Sequence, residues 1–449
     1  MIPVVTPSEM AIIDDEADES INVLIGRAGS AVAWQARQML QGTYGKRVIV
    51  IAGKGNNGAD GIEAAKYLRR WGVKVNVIQA DDDAVKLHGC DLVIDAAVGT
   101  GLKRAYCAPH FSAPILSVDI PSGICGLTGE AQGRPFKANA TITFQALKPG
   151  HLLANGPLHT GAIKVANIGL DVSATRTFML EKSDVAHILS SLSEREHKWM
   201  SACWVIGGSE GMNGAALLSS QAALRSGSGY VRVSTPGGLN GAPSEIVSFD
   251  LPSHDWDEYV IESGLERFKS LVVGPGLGKT DAAIKAVNKL LSAIHIPTVV
   301  DADALYAIGQ QRLDPKVYGD HLVLTPHDAE YEYLTGHKPQ KDRVLDVCET
   351  AAKLNAVVLL KGPTTIVAHP DGRCLLINNG DQRLATAGTG DVLSGVIAGL
   401  LARRIPPFEA AAVGAWIHAD ASKNCSAEGM IASDIIEALP EVLNETHLG

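Results

Sequence analysis

Residues 47–70 read RVIVIAGKGNNGADGIEAAKYLRR: an apolar, β-branched run over 47–51, a turn rich in glycine and asparagine, and a helical pattern over 62–70. A strand that passes through a glycine-rich turn into a helix opens a βαβ unit. The turn lets backbone approach a ligand closely, and the first N–H groups of the helix attract an anion. A tight turn capped by asparagine gives the same letters, so the fold depends on the rest of the chain. Short apolar runs recur at 73–78, 91–95, 115–120 and 141–144, separated by stretches of helical character. Strands that alternate with helices build a parallel sheet covered on both faces.

The pattern then breaks. Residues 178–199 are polar and carry no strand signal, which marks a linker or domain entrance. A second series of apolar runs begins at 203–206 and continues at 230–234, 271–273, 298–300, 322–324 and 357–360, each ending at or near a glycine or acidic residue. The expected fold class is therefore α/β with two doubly wound domains, 1–185 and 186–449. Ligands of such sheets bind at the carboxyl ends of the strands. The chain has 449 residues, which suits two domains on a prior of roughly 150 residues each.

Composition removes several classes of function. A formal charge of −10 disfavours nucleic acid and anionic membrane surfaces, both of which need a basic face. The seven cysteines are scattered without a C-x-x-C pair, so neither a disulfide framework nor a zinc site is expected. Glu9, Asp14, Asp15, Glu16, Asp18 and Glu19 crowd the beginning, the reverse of a secretory leader. Apolar runs fall short of the ~18 residues that span a bilayer. A cytoplasmic protein and a homo-oligomer are expected.

Chemistry gathers at the strand ends. In the first half, Asn56 and Asn57, then Asp95 in VIDAAVGTG, then Asp119 and Ser122 in VDIPSG converge on one rim of a doubly wound sheet. Carboxylates, amides and a hydroxyl around glycine-rich backbone are the donor set of a hard cation. Capping by Asp95 and turn bonding by Asp119 and Ser122 are the plain alternatives. In the second half, ATAGTGDVLSG at 385–395 runs directly into an apolar helix. Its first N–H groups form an anion hole, and Asp391 stands where it can deprotonate a hydroxyl during phosphoryl transfer. After the strand at 356–360, Lys361, Gly362, Pro363, Thr364 and Thr365 form a loop able to neutralise phosphate. Further rims at 206–209, 273–278, 301–305 and 325–330 each close a strand.

The N-terminal combination of NNGxDG with VDIPSG resembles the epimerases that interconvert the R and S forms of hydrated NAD(P)H, NAD(P)HX, over most of residues 1–180. That resemblance implies a Rossmann-like epimerase domain in which Asn57, Asp95 and Ser122 hold potassium. It also places Asn56, Asn57, Gly58, Ala59, Asp60, Gly99, Thr100, Gly101, Leu102, Lys103, Arg104, Ala105 and Asp119 on the substrate, with Lys103 and Asp119 as acid/base candidates. The chain departs from the family pattern at Ala59, usually glycine, at Gly26, commonly acidic, and in a short crossover over 78–91.

The C-terminal series resembles the ribokinase-like NAD(P)HX dehydratases over nearly all of 200–445. By that resemblance Lys361, Gly362, Pro363, Thr364, Thr365 and Gly390 bind ADP or ATP. Ala215, Gly278, His327 and Asp391 bind NADHX or NADPHX, and Asp391 is the catalytic base. Magnesium is expected on the nucleotide, with Asp301 and Asp303 as candidate participants. The alternative is a ribokinase-like small-molecule kinase with an N-terminal ligand-binding module, which would release a stable phosphorylated product instead of inorganic phosphate.

Overall fold

The computed structural model describes residues 1–80, 89–102, 104–190, 197–239, 241–311 and 319–447. It divides into two compact units, Ile2–Thr177 and Phe178–Gly449. The division falls earlier than the 185/186 boundary read from the sequence. The stretch taken for a linker contains a short strand, Thr177–Met179, and a helix, Lys182–Ser190. That helix puts Val185 and Leu189 into the core of the second unit.

The main sheet of the smaller unit has, among the described residues, six parallel strands: β1 (Arg47–Ala52), β2 (Lys74–Gln79), β3 (Leu92–Ala96), β4 (Ile115–Val118), β5 (Ala140–Phe144) and β6 (Ala162–Ala166). They stand in the order β2-β1-β3-β4-β5-β6. The pleat sorts their side chains. Val48 and Val50 of β1 enter one core with the helix residues Ala28, Val32, Ala64 and Leu68, while Ile49 and Ile51 enter another with Val93 and Phe136. A strand buried on both faces reads as a continuous apolar run, which is why β1 and β3 are so visible in the sequence. Three helices bear on the site: α1 (Pro7–Asp15), α2 (Ile21–Leu40) and α3 (Asn56–Arg70). The last begins at Asn56, so NNGADG is its first turn and a half.

The larger unit carries a sheet whose main run is β8-β7-β9-β10-β11-β12-β13-β14. The strands are β7 (Ala202–Ile206), β8 (Tyr230–Ser234), β9 (Ser270–Val273), β10 (Thr298–Val300), β11 (Leu322–Leu324), β12 (Val357–Leu360), β13 (Thr365–Ala368) and β14 (Cys374–Ile377). Pairing is parallel through β12 and antiparallel in the closing β12-β13-β14 meander. The helices that matter here are α4 (Asn213–Arg225), α5 (Asp328–Thr335), α6 (Thr389–Ala402) and α7 (Pro407–Lys423).

Helix α6 is apolar all round and buried, as a central helix must be. Gly395 lets it press onto α4, for a Cβ there would lie 2.1 Å from the carbonyl oxygen of Ser219. An interior glycine costs roughly 1 kcal/mol. Each of the fully buried Val392, Val396, Ile397 and Leu400 returns about 1.5–3 kcal/mol, so packing decides in favour of the helix. No helix among the described residues is long and apolar enough to cross a membrane.

Candidate functional site

Each unit gathers polar side chains at the carboxyl edge of its sheet. In the smaller unit a cavity of about 540 Å³ is lined by Asp14 of α1, apolar residues of α2, Asn56, Asn57 and Asp60 of α3, Gly99, Thr100 and Gly101 after β3, and Asp119 and Lys148. Asp119 follows β4 with φ +63°, a left-handed conformation that costs a non-glycine residue on the order of 1–3 kcal/mol. Bonds on both sides hold it there: its N–H donates to the Ile142 carbonyl at 2.7 Å and its carbonyl meets Nε2 of His151 at 2.7 Å. His151 Nδ1 accepts from the Lys148 N–H, so Nε2 carries the ring proton.

The carboxylates in this cavity are not alike. Lys148, buried, places Nζ 2.7 Å from Oδ1 of Asp119. Burial pushes the Asp119 carboxyl up, but the Lys148 charge and hydrogen bond, with His151 and Thr143, outweigh it and hold the group below the usual carboxylate range. Asp60 has no such partner among the described residues. Burial, then the nearby charges of Asp119 and Asp14, push it up to about 8. Asp14 is raised chiefly by burial, against the pull of Lys148. Asp60 is thus a neutral acid at neutral pH beside an ionised Asp119.

Behind them Asp95 is completely buried and accepts from the Ser122 N–H and the Ser117 hydroxyl, both at 2.9 Å, with the Ser122 hydroxyl on its other oxygen. Burial raises it to about 6 against these bonds. No cationic side chain pairs with it among the described residues. Asn57 has both amide atoms buried and without a hydrogen-bond partner. A Cβ placed on Gly99 would stand 3.3 Å from both the Asn57 side chain and Oδ2 of Asp119. A buried carboxylate without a counter-cation among the described residues and an orphan amide oxygen fit a hard cation. Among the described residues no three His, Cys, Asp or Glu side chains group so as to hold a metal ion by themselves. Lys103 lies outside the described residues, as does part of the 78–91 crossover.

In the larger unit, Gly388 caps α6 with φ +88°, a conformation open to glycine, and Asp391 sits in the first turn. The loop after β12 comes to it: Lys361 Nζ is 3.6 Å from where a Cβ on Gly390 would be. Lys361 is paired at 2.9 Å with Asp301 and 3.3 Å with Glu330, and the Ser394 hydroxyl takes the other Asp301 oxygen at 2.7 Å. Burial lowers the Lys361 ammonium, yet Asp301 and Glu330 together raise it, so it stays charged. Asp391 is pushed up to about 6, first by burial and then by Asp301, with Lys361 pulling the other way. A base that titrates near neutrality can take a proton from a hydroxyl and hold it.

The remaining rims assemble around this point. Ser209 donates to the Gly276 carbonyl at 2.8 Å, a Cβ on Gly276 would lie 3.3 Å from Ala215, and the Gly278 N–H donates to Asp303 at 2.8 Å. Of the two candidate magnesium participants, Asp301 is engaged by Lys361 and Ser394, and Asp303 by the Gly278 N–H and, at 3.9 Å, by Lys279. His327 caps α5: its Nδ1 accepts from the Ala329 and Glu330 N–H groups, so only Nε2 remains to donate. Sequence reasoning missed Asp14, Lys148, His151, Glu330 and Ser394. The KPGH run at 148–151 was the one local signal.

Comparison with known proteins supplies a third line. The family model for NAD(P)H-hydrate dehydratase matches residues 203–441, and that for the YjeF-related protein N-terminus matches 21–86 and 78–150. The chain is 34% identical to the bifunctional NAD(P)H-hydrate repair enzyme Nnr of Moorella thermoacetica, over 98% of this chain and 96% of that one. With the enzyme of the same name from Escherichia coli it shares 31% identity over 94% and 89%. Among solved structures, the ADP/ATP-dependent NAD(P)H-hydrate dehydratase of Bacillus subtilis, co-crystallised with ATP and Mg2+, is 30% identical. The match covers 60% of this chain and 98% of that one with a TM-score of 0.52.

Proposed function

The chain belongs to the bifunctional NAD(P)H-hydrate repair family, and from that premise we propose how its two rims divide the work. The enzyme epimerises R and S NAD(P)HX in the N-terminal unit, Ile2–Thr177, and dehydrates S-NAD(P)HX to NAD(P)H in the C-terminal unit, Phe178–Gly449, consuming ADP or ATP. It works in the cytoplasm as a homo-oligomer. The observation that carries the dehydratase reading is Asp391, a half-buried carboxyl at the start of α6 with the Lys361 ammonium across Gly390.

In the dehydratase site Asp391 takes the proton of the C6 hydroxyl as its oxygen attacks the terminal phosphoryl group of the nucleotide. The α6 N–H groups and Lys361 stabilise charge on the moving phosphoryl. Phosphate then leaves C6, pushed by the ring nitrogen, and loss of a C5 proton restores the dihydropyridine. Lys361, Gly362, Pro363, Thr364, Thr365 and Gly390 hold the nucleotide, and Ala215, Gly278 and His327 line the hydrate. Magnesium, when bound, neutralises charge on the nucleotide oxygens.

In the epimerase site the separated protonation states of Asp60 and Asp119 supply an acid and a base. Asp60 protonates the C6 hydroxyl, which departs as water and leaves a cation conjugated through the ring nitrogen. Water returns to the opposite face and gives its proton to Asp119, and return of that proton to Asp60 through solvent restores the starting state. Asp60 thereby joins Lys103 and Asp119, the candidates implied by the resemblance. Asn56, Asn57, Gly58, Ala59, Gly99, Thr100, Gly101, Leu102, Arg104 and Ala105 line the substrate. Asn57, Asp95 and Ser122 would hold potassium, whose charge offsets the buried Asp95.

Purified enzyme supplied with S-NADHX and ATP or ADP tests the reading: absorbance of the reduced nicotinamide should recover with stoichiometric inorganic phosphate. A stable phosphorylated product would favour a small-molecule kinase instead. Exchanging potassium for lithium should slow R/S interconversion and leave S-NADHX dehydration unchanged.

A further inference from the structure

One buried polar group near the nucleotide loop has no role in the chemistry above. His418 lies on α7 and is 5% exposed. One ring nitrogen is bonded to the backbone of Thr389, the first residue of α6, whereas Nε2 is buried without a hydrogen-bond partner, so Nδ1 makes the Thr389 contact. Burial, the largest influence, depresses the imidazole to about 4, and the Lys361 charge adds to this despite the Thr389 bond. The ring is neutral. Nδ1 spends its one proton on the Thr389 carbonyl, and Nε2 is therefore a lone-pair acceptor.

The His418 ring lines a cavity walled by Gly362, Pro363 and Thr365 of the nucleotide loop and by the apolar Leu384 and Leu393. An apolar slot with one placed polar group is how proteins orient a flat heterocycle. The cavity measures about 30 Å³, room for roughly one or two water-sized groups, which suits the substituent on a base edge.

We propose that His418 reads the nucleotide base, its Nε2 accepting a hydrogen bond from the exocyclic amino group of adenine. This rests on the dehydratase reading and adds to it the choice of base. A purine with a carbonyl at that position sets an acceptor against an acceptor. Leaving a buried polar group unpaired in this way should weaken binding on the order of tenfold to a hundredfold.

Two variants separate the ring nitrogens. In His418→Asn the amide falls near the place of Nδ1, keeping a donor for Thr389 and deleting the acceptor. In His418→Gln the amide reaches the place of Nε2. Calorimetric binding of ATP and of inosine triphosphate to the full chain should show a strong preference for ATP in the parent. The preference should be lost in His418→Asn, through weaker ATP binding and unchanged inosine triphosphate binding, with melting temperature preserved. His418→Gln should retain it. No preference in the parent, or full preference in His418→Asn, would overturn the inference alone. A parent that binds neither nucleotide would overturn the dehydratase reading and the inference with it.

Discussion

In the smaller unit a buried lysine shares a cavity with three carboxyl groups and gives its hydrogen bond to one of them: Lys148 binds Asp119, and Asp60 keeps its proton to about pH 8. In the larger unit a lysine faces a comparable group but is shared, since Lys361 binds Asp301 and Glu330 while Asp391, unpaired, settles at about 6. The difference is one of allocation. A cation spent on a single carboxylate drives two neighbours apart into an acid and a base, whereas a shared cation leaves one base near neutrality and keeps positive charge where a phosphoryl group passes.

The severest way to break this contrast is to remove the lone base. Asp391→Asn keeps the shape of the α6 start and should reduce dehydration on the order of 10² to 10⁴-fold, the range for a positioned proton acceptor. Steady-state turnover of S-NADHX with saturating ATP measures it, and unaltered turnover would remove Asp391 from the chemistry.

Removing the shared cation comes next. Lys361→Ala should weaken nucleotide binding about 10- to 100-fold, as loss of a charge-assisted contact does, and weaken hydrate binding much less. It also strands Asp301 and Glu330, so unfolding free energy should fall by about 3–5 kcal/mol, as when a buried pair loses one member. Equal loss of both ligands would put the nucleotide elsewhere.

Acidity sharpens the comparison without mutation. Asp391 acts when ionised, so dehydration should rise as pH increases through about 6. Asp60 acts when protonated, so epimerisation should fall as pH increases through about 8. Each limb should approach about tenfold per pH unit beyond its midpoint. Parallel profiles for the two activities would mean that both carboxyls are misassigned.

The sheets were largely legible because β1, β3, β7 and β12 are buried on both faces and read as unbroken apolar runs. The edge strand β6 was not: Ala162–Ala166 alternates weakly and leaves all five residues at least partly in reach of water. The β13-β14 hairpin also escaped, although Pro370, Asp371 and Gly372 announce its turn, because parallel strands before it set the expectation. At the sites, Asp391 and Asn57 stood out through their glycine-rich settings. Lys148 and Glu330 did not, since each meets its partner only through the fold, 29 residues from Asp119 in one case. The start of α3 was placed late for a local reason: glycine and asparagine are poor helix interior residues, yet they occupy its first turn, where N–H groups need no intrahelical partner.

The central claim is that one chain repairs both epimers through two separate sites, and a time course on mixed R and S NADHX with ATP tests it most directly. Asp60→Asn, isosteric and unable to donate the proton, should leave the fast phase on the S epimer at the parental rate. The slower phase that drains the R epimer should drop to the spontaneous rate of interconversion. If the variant consumes both epimers as quickly as the parent, the smaller unit does not epimerise through Asp60 and the proposed division of labour is contradicted.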